Sequence, residues 1–326
     1  MSIFTPGRRW QPPFYPFKKE KFGKRLLAYA ERLIKGSLFG CRMCGNCLLQ
    51  ETAFICSMEC PKGMRNGPCG GSTPEKCYVD ETRPCIWYKI YDRAHKMGRE
   101  EKLLEVLPPL DWDKVGTETW GDVIRQIKQV GTWRFVKGVF SRDKIKKAKV
   151  WDEVFRTIRQ PQWWQGDSIY HPPAYEEPIS NFERELKSGR FIVTAEVAPP
   201  LGAITGKLER NINLLKEYVT AINFTDCASA TPRMSSMACS KIAADLDAEP
   251  VLQIAARDKT RNGLQADITG VNAMGIKNIL CISGDNARIG PSPTANTNIL
   301  DVDAIQMLWI LRRMRDEGTY LDGRKI

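Results

Sequence analysis

Residues 249–285 read EPVLQIAARDKTRNGLQADITGVNAMGIKNILCISGD. Two short apolar runs, closing on Asp258 and Asp285, flank a helical pattern over Gly263–Met274. Strand, helix, strand at this spacing is a βαβ unit and implies a parallel sheet. Working outward, FIVTAEVAPP at 191–200 and YVTAINFTD at 218–226 repeat the theme. The four runs start near 191, 218, 249 and 276, about 30 residues apart, as such units require. Helical patterns lie at Lys207–Glu217, Ser235–Leu246, Gly263–Met274 and Val302–Arg315. Each strand ends in polar residues: Glu196 before Pro199-Pro200, then Asp226, Arg257-Asp258 and Ser283-Gly284-Asp285. In β/α barrels the chemistry sits at those carboxyl ends. A carboxylate within FIVTAEVA is costly unless paired or neutral. Burial there raises the pKa of Glu196, which suits a general acid. A structural glutamate, salt-bridged in a barrel mouth, fits the same residues.

A different texture occupies Cys41–Cys85. It holds eight of the eleven cysteines, at 41, 44, 47, 56, 60, 69, 77 and 85. Core packing needs no such density. Cys41-x-x-Cys44-x-x-Cys47 places three thiols as one turn around a metal centre requires. Gly45, Gly63, Gly67, Gly70 and Gly71 let the backbone bend, and Pro61 and Pro68 stiffen the bends. Three readings compete. An iron–sulfur cubane takes four thiolates, and C-x2-C-x2-C with a remote Cys suits it. Eight thiols serve two clusters, or one cluster and a tetrahedral zinc. Zinc alone is usually held by paired C-x2-C knuckles, and only one compact triple occurs here. Disulfides need an oxidising compartment.

Length allows two domains, and 42% apolar content supports a real core. No run of about 18 apolar residues exists, so no membrane span is expected. The N-terminus is basic but lacks an apolar h-region, so it does not read as a secretory signal. The expected compartment is the reducing cytoplasm, which favours metal over disulfide. Residues 1–180 carry 31 basic and 21 acidic side chains, a net +10; residues 181–326 are near neutral at +1. The basic residues are spread rather than blocked, so no nucleic-acid footprint is read. The excess suits an acidic electron carrier or offsets thiolate charge.

Residues 1–20, rich in Pro and aromatics, read as an extended arm. Phe22–Lys35 has apolar positions at 26, 27, 30, 33 and 34, a helical stripe that Gly36 and Gly40 should stop. The stretch after Cys85 has helical spacing and could shield a cluster from water. Six tryptophans fall within 108–165, and they are expected to bury area between domains. Residues 171–180 read as a linker.

Both halves resemble one family. CRMCGNC…NGPCGG…C, with its leader GSLFGC and its tail PCIWYKIYDRA, resembles the iron–sulfur partner module of methylenetetrahydrofolate reductases over roughly 36–95. TAEVAPP…NFTDCAS…QIAARDKTRNGLQADITGVNAMGIKNILCISGD is similar to the first half of the reductase barrel. The resemblance implies a flavin, FAD or FMN, that passes hydride to the methylene carbon of 5,10-methylenetetrahydrofolate. It implies that Glu196 protonates the folate nitrogen, that Asp285 contacts the pterin and sits by the flavin, and that Thr225 lies near the flavin ring. Gln253, Arg257, Asp258, Ser283 and Gly284 complete the implied cofactor set. Cys41, Cys44, Cys47, Cys56, Cys60, Cys69, Cys77 and Cys85 would hold [4Fe-4S] centres or Zn. Electrons would come from ferredoxin or another redox subunit. The family commonly has His and Thr on the third strand where this chain has Gln253 and Ala255, which bears on flavin affinity; Arg257, Asp258 and Asn262 fit.

The expected fold class is therefore α/β. A cysteine-rich domain at 1–100 leads through a Trp-rich connecting segment at 101–180 to a partial barrel at 181–326. The latter is the first half of a (β/α)8 TIM-type barrel, completed by more chain or by a second chain, or else a half kept for another role. The rival functions are a non-catalytic electron-transfer or assembly subunit and a zinc-stabilised binding protein.

Overall fold

The computed structural model describes residues 17–18, 22–292 and 300–326. The arm expected over 1–20 lies outside them apart from Phe17 and Lys18. The described chain forms two compact units, one running to Ile169 and the other starting at Tyr170.

The first unit opens with helix α1, Phe22–Phe39. It passes the expected stop at Gly36, because one helical glycine costs only about 1 kcal/mol against alanine. Gly40, at φ +64°, ends it. The predicted apolar stripe does not face inward: Leu26 and Leu33 are exposed, and the helix buries Ala28 and Glu31 instead. Glu31 tolerates burial because it is fully partnered, as described below. After the cysteine stretch, α2 (Ile86–Lys96) buries Ile86, Trp87, Ile90 and Ala94 and closes before Gly98 at φ +61°. Helices α3 (Trp120–Val130), α4 (Thr132–Val139) and α5 (Lys144–Arg159) pack on one another. Trp151 sits between Phe135 and Phe155, with ring centroids 5.3 and 5.4 Å away. Trp164 is buried inside the unit and donates its indole N–H to the Val106 carbonyl at 2.8 Å. Of the tryptophans expected to bury area, Trp164 is packed within its own unit, and Trp133 is exposed. Residues 101–169 belong to the same unit as the cysteine stretch. Arg159 helps fasten them, with Glu51 at 3.4 Å, Glu105 at 3.1 Å and Asp152 at 2.8 Å.

The second unit is a four-stranded parallel sheet in the order β1-β2-β3-β4. Its strands are β1 (Thr194–Val197), β2 (Ala221–Phe224), β3 (Pro250–Ala255) and β4 (Asn278–Ile282). Helix α6 (Asn181–Lys187) precedes β1, and Ser180 caps it by accepting from the Glu183 N–H. Helices α7 (Gly206–Leu215), α8 (Ser236–Asp245) and α9 (Arg261–Ala273) are the crossovers, and α10 (Ala304–Glu317) follows β4. A capping box of Asp303 and Gln306 starts α10. β3 is buried at all six positions, as a central parallel strand covered on both faces should be. Val197, Ile222 and Phe224 meet Leu208 and Ile212 of α7 and Cys239 and Ala243 of α8 in one core. This is the α/β architecture expected, with parallel strands and intervening helices. Residues 171–180, read as a linker, set His171 against Trp309 of α10 and end on the Ser180 cap.

Candidate functional site

The carboxyl ends of the four strands gather most of the polar residues singled out in the second half. Register places Glu196 beside Asn223, and Asn223 Nδ2 donates to Glu196 Oε2 at 3.0 Å. The desolvated Glu196 expected from the sequence is corrected: the residue is exposed. β1 is an edge strand, and its outward alternation carries Thr194 and Glu196 while Val197 turns in. The partner it finds is a neutral amide.

At the end of β2, Thr225 is buried and its hydroxyl has no hydrogen-bond partner among the described residues. The Asn223 Oδ1 is likewise buried and unpartnered. A buried polar atom without a protein partner leaves room for a water or a ligand group to satisfy it. Asp226, which the family comparison of motifs did not single out, ties two strands together. Its Oδ2 accepts from the Ala255 N–H at 2.9 Å, and its own N–H donates to Gln253 Oε1 at 2.9 Å. Burial pushes the Asp226 carboxyl above the ordinary range. Gln253 and Ala255 therefore serve this strap, and Gln253 also gives its carbonyl to the Ser236 hydroxyl at 2.7 Å.

Arg257 holds the loops after β2, β3 and β4 in one frame. Its guanidinium donates to the Asp285 carbonyl at 3.1 Å, the Cys227 carbonyl at 3.4 Å and Asp258 Oδ2 at 2.6 Å. Asp285 Oδ2 accepts from the Ser229 N–H at 2.6 Å. Gly284, next to Ser283, has φ +75°, and a Cβ there would lie 3.0 Å from Ala255 Cβ and 3.1 Å from Arg257 Cβ. Only glycine fits that approach. Thus Thr225, Gln253, Arg257, Asp258, Ser283, Gly284 and Asp285 form one neighbourhood, with Glu196 and Asn223 on the adjoining strands. The residue sequence reasoning missed is Asn223, whose signal was its place opposite Glu196 once the two strands are paired; Asp226 was read as a strand-end residue but given no role.

In the first unit the eight cysteines divide between two cavities. Cys41, Cys44, Cys47 and Cys56 line one, with Glu31, Lys35, Met43, Leu48, Met58 and Thr119. Cys60, Cys69, Cys77 and Cys85 line the other, with Lys62, Ile86 and Trp87. The sequence density did not show this four-and-four division; the bends do. Met43 at φ 56° and Gly45 at φ +66° turn the first loop. A Cβ on Gly45 would fall 1.8 Å from the Lys114 carbonyl oxygen, so the loop is pressed against residues 114–117. Asn46 exchanges hydrogen bonds with the Asp111 backbone, and Gly116 N–H donates to Met43 at 2.9 Å. The Met43 N–H points at Cys41 Sγ, 3.5 Å away. In the second cavity, Cys77 N–H donates to the Arg83 carbonyl at 2.8 Å, and the Trp87 indole donates to the Met64 carbonyl at 3.1 Å. As expected from the spacing after Cys85, α2 lays Ile86 and Trp87 against the thiols.

All eleven cysteines are free. Burial raises the thiols of Cys44, Cys56 and Cys77, lifts Cys41 to about 11 and pushes Cys60 up to about 12. Thiolates in such cavities call for a cation to compensate them. Among the described residues, no three His, Cys, Asp or Glu side chains stand at metal-coordinating geometry. The donor set nonetheless fits a thiophilic centre in kind and number: four soft sulfurs in each cavity, with apolar residues and a lysine beside them.

Two family models match the chain. One, described as methylene-tetrahydrofolate reductase C terminal, covers residues 23–113, and the other, described as methylenetetrahydrofolate reductase, covers 181–317. No curated protein and no solved structure matches it. The first match takes in all eight cavity cysteines, though not Thr119, and the second runs from α6 to the end of α10.

Proposed function

The chain belongs to the methylenetetrahydrofolate reductase family, and from that premise we propose that it is a flavin-dependent reductase of 5,10-methylenetetrahydrofolate whose cysteine-rich unit relays electrons. The observation that carries the reading is the neighbourhood at the strand ends. Thr225, with an unpartnered buried hydroxyl, stands there with Gln253, Arg257, Asp258, Ser283, Gly284 and Asp285, and Glu196 lies on the neighbouring strand. These seven strand-end residues would hold FAD or FMN, which supplies hydride to the substrate's methylene carbon when bound. Glu196 is the proton source for the folate nitrogen as the ring opens, and Asn223 fixes its Oε2 from the side. Asp285, held by Ser229 and by the Arg257 frame, would contact the pterin. Gly284 leaves room for close approach.

The two cavities would each hold an iron–sulfur centre: Cys41, Cys44, Cys47 and Cys56 in one, Cys60, Cys69, Cys77 and Cys85 in the other. Their thiolates bind, and the buried walls exclude water. Ferredoxin or another redox subunit is the donor, and the basic first half complements an acidic carrier. The sheet reads as the first half of a (β/α)8 barrel.

The test is anaerobic purification with any accompanying chains, followed by reduction and addition of methylenetetrahydrofolate. Reoxidation of bound flavin with formation of 5-methyltetrahydrofolate is expected. Iron without flavin, and no response to the folate, would overturn the reductase reading in favour of an electron-transfer subunit.

A further inference from the structure

The first cysteine cavity has a charged wall. Lys35 on α1 faces it, and its ammonium uses all three donors: Glu31 Oε1 at 2.6 Å, Thr119 Oγ1 at 2.7 Å and Cys47 Sγ at 3.5 Å. The Lys35 side chain is 12% exposed and that of Glu31 2%, so the pair is screened little by solvent. Glu31 does not depend on Lys35 for its satisfaction. Its carboxylate also accepts from the Thr119 hydroxyl at 2.5 Å, the Thr119 N–H at 2.7 Å and the Trp120 N–H at 3.2 Å. The last two belong to the N-terminal end of α3, where a helix favours negative charge. The carboxylate is thus anchored at α3, and it aims the ammonium into the cavity.

We propose that Lys35 tunes the potential of an iron–sulfur centre held by Cys41, Cys44, Cys47 and Cys56, its N–H···S bond to Cys47 favouring the reduced state. The proposal rests on the reading of that cavity as a cluster site. An added electron increases negative charge on the sulfurs, so a cationic donor stabilises the reduced centre more than the oxidised one. Glu31 works in the opposite sense through its charge and in the same sense through its aim. Sequence spacing gives no hint of either residue; Lys35 is six positions before the first cysteine, on the inward face of a helix whose apolar stripe points out.

The experiment uses the whole chain, loaded and purified without oxygen, with iron analysis and redox titration followed by electron paramagnetic resonance. The signal that Cys56→Ser removes and Cys85→Ser leaves identifies the centre. Lys35→Met is expected to weaken its reduction by about tenfold, ~59 mV for a one-electron couple, and to leave the other centre unmoved. Glu31→Gln is expected to move the same centre upward, because it removes the opposing charge. A structural role cannot produce opposite signs. Iron-loaded Lys35→Met with both potentials unchanged overturns the inference alone. Should Lys35→Met lose its iron, Glu31→Gln decides, an upward shift supporting the proposal and no shift refuting it. Loss of iron from both variants marks a structural role and also refutes it. Wild-type protein without iron refutes the cluster reading as well.

Discussion

Glu196→Gln separates chemistry from scaffolding at the strand-end site. The structure fixes what the change costs the fold. Glu196 is exposed, and its hydrogen bond is accepted from Asn223 Nδ2, which a glutamine carbonyl can accept equally. Stability should therefore change by no more than about 0.5 kcal/mol, as for other exposed substitutions. On the proposed reading a proton source is lost outright, which costs about 10²–10⁴-fold in turnover, or ~3–5 kcal/mol of barrier. Asn223→Ala gives the complementary case. It keeps the acid but frees it from an orienting bond worth ~1 kcal/mol, so a loss of about fivefold is expected. The assay is single-turnover oxidation of reduced flavin by methylenetetrahydrofolate in the intact assembly, with flavin content and thermal midpoint measured on the same preparation. Oxidation by Glu196→Gln at near the wild-type rate, in folded and flavin-loaded protein, would remove Glu196 from the mechanism.

Three further outcomes are expected. If each cavity holds a cluster as proposed, Cys56→Ser and Cys85→Ser should each lower bound iron by about half, because each removes a ligand from one four-thiol cavity; complete loss from either single change would argue for one shared centre. Gly45→Ala should destabilise the cysteine unit by more than the ~1–2 kcal/mol of a left-handed residue alone, since its Cβ collides with the Lys114 carbonyl; an unchanged midpoint and iron content would show that the loop does not press there. Glu51 is raised to about 7, by burial that outweighs the Arg159 charge. The folded state thus holds its proton more tightly than the unfolded state. That stability is fully present below the ordinary carboxyl range and is lost as pH rises through about 7. Denaturant titrations of wild type and Glu51→Gln at pH 5 and pH 8 should show the wild type losing stability, by at most ~3 kcal/mol, with the variant flatter; parallel behaviour would contradict the shift.

The second half was legible because parallel strands announce themselves. Runs ending at Asp226, Asp258 and Asp285 are short, apolar and evenly spaced, and β2, β3 and β4 each formed within them. Glu196 was misjudged, since apolar neighbours in sequence do not tell a central strand from an edge strand. Only pairing does, and pairing puts β1 at the rim with Asn223 as its companion. The cysteine positions were plain, but their division was not. Cys56 and Cys60 are four residues apart and face different cavities, because the short helical turn Ser57–Glu59 lies between them. Lys35 and Glu31 were hidden for a further reason. Their face of α1 is polar, and polar faces of amphipathic helices are ordinarily solvated.

The residues that close the first cavity have one more consequence. Thr119 lies far along the chain from Cys41–Cys56, yet it lines the same wall as Glu31 and Lys35. Asn46 is latched to Asp111, and Arg65 reaches the Pro108 carbonyl at 2.8 Å. A fragment ending near residue 100 would strip these latches and leave the thiols on an open loop. Extended through α5, the piece carries every described residue that lines either cavity. Such a piece is portable: it needs no other part of a polypeptide to shape its thiol sites, so its place before or after a neighbour is free to vary. That freedom accords with a segment described as C-terminal in its family model, which here lies ahead of the sheet.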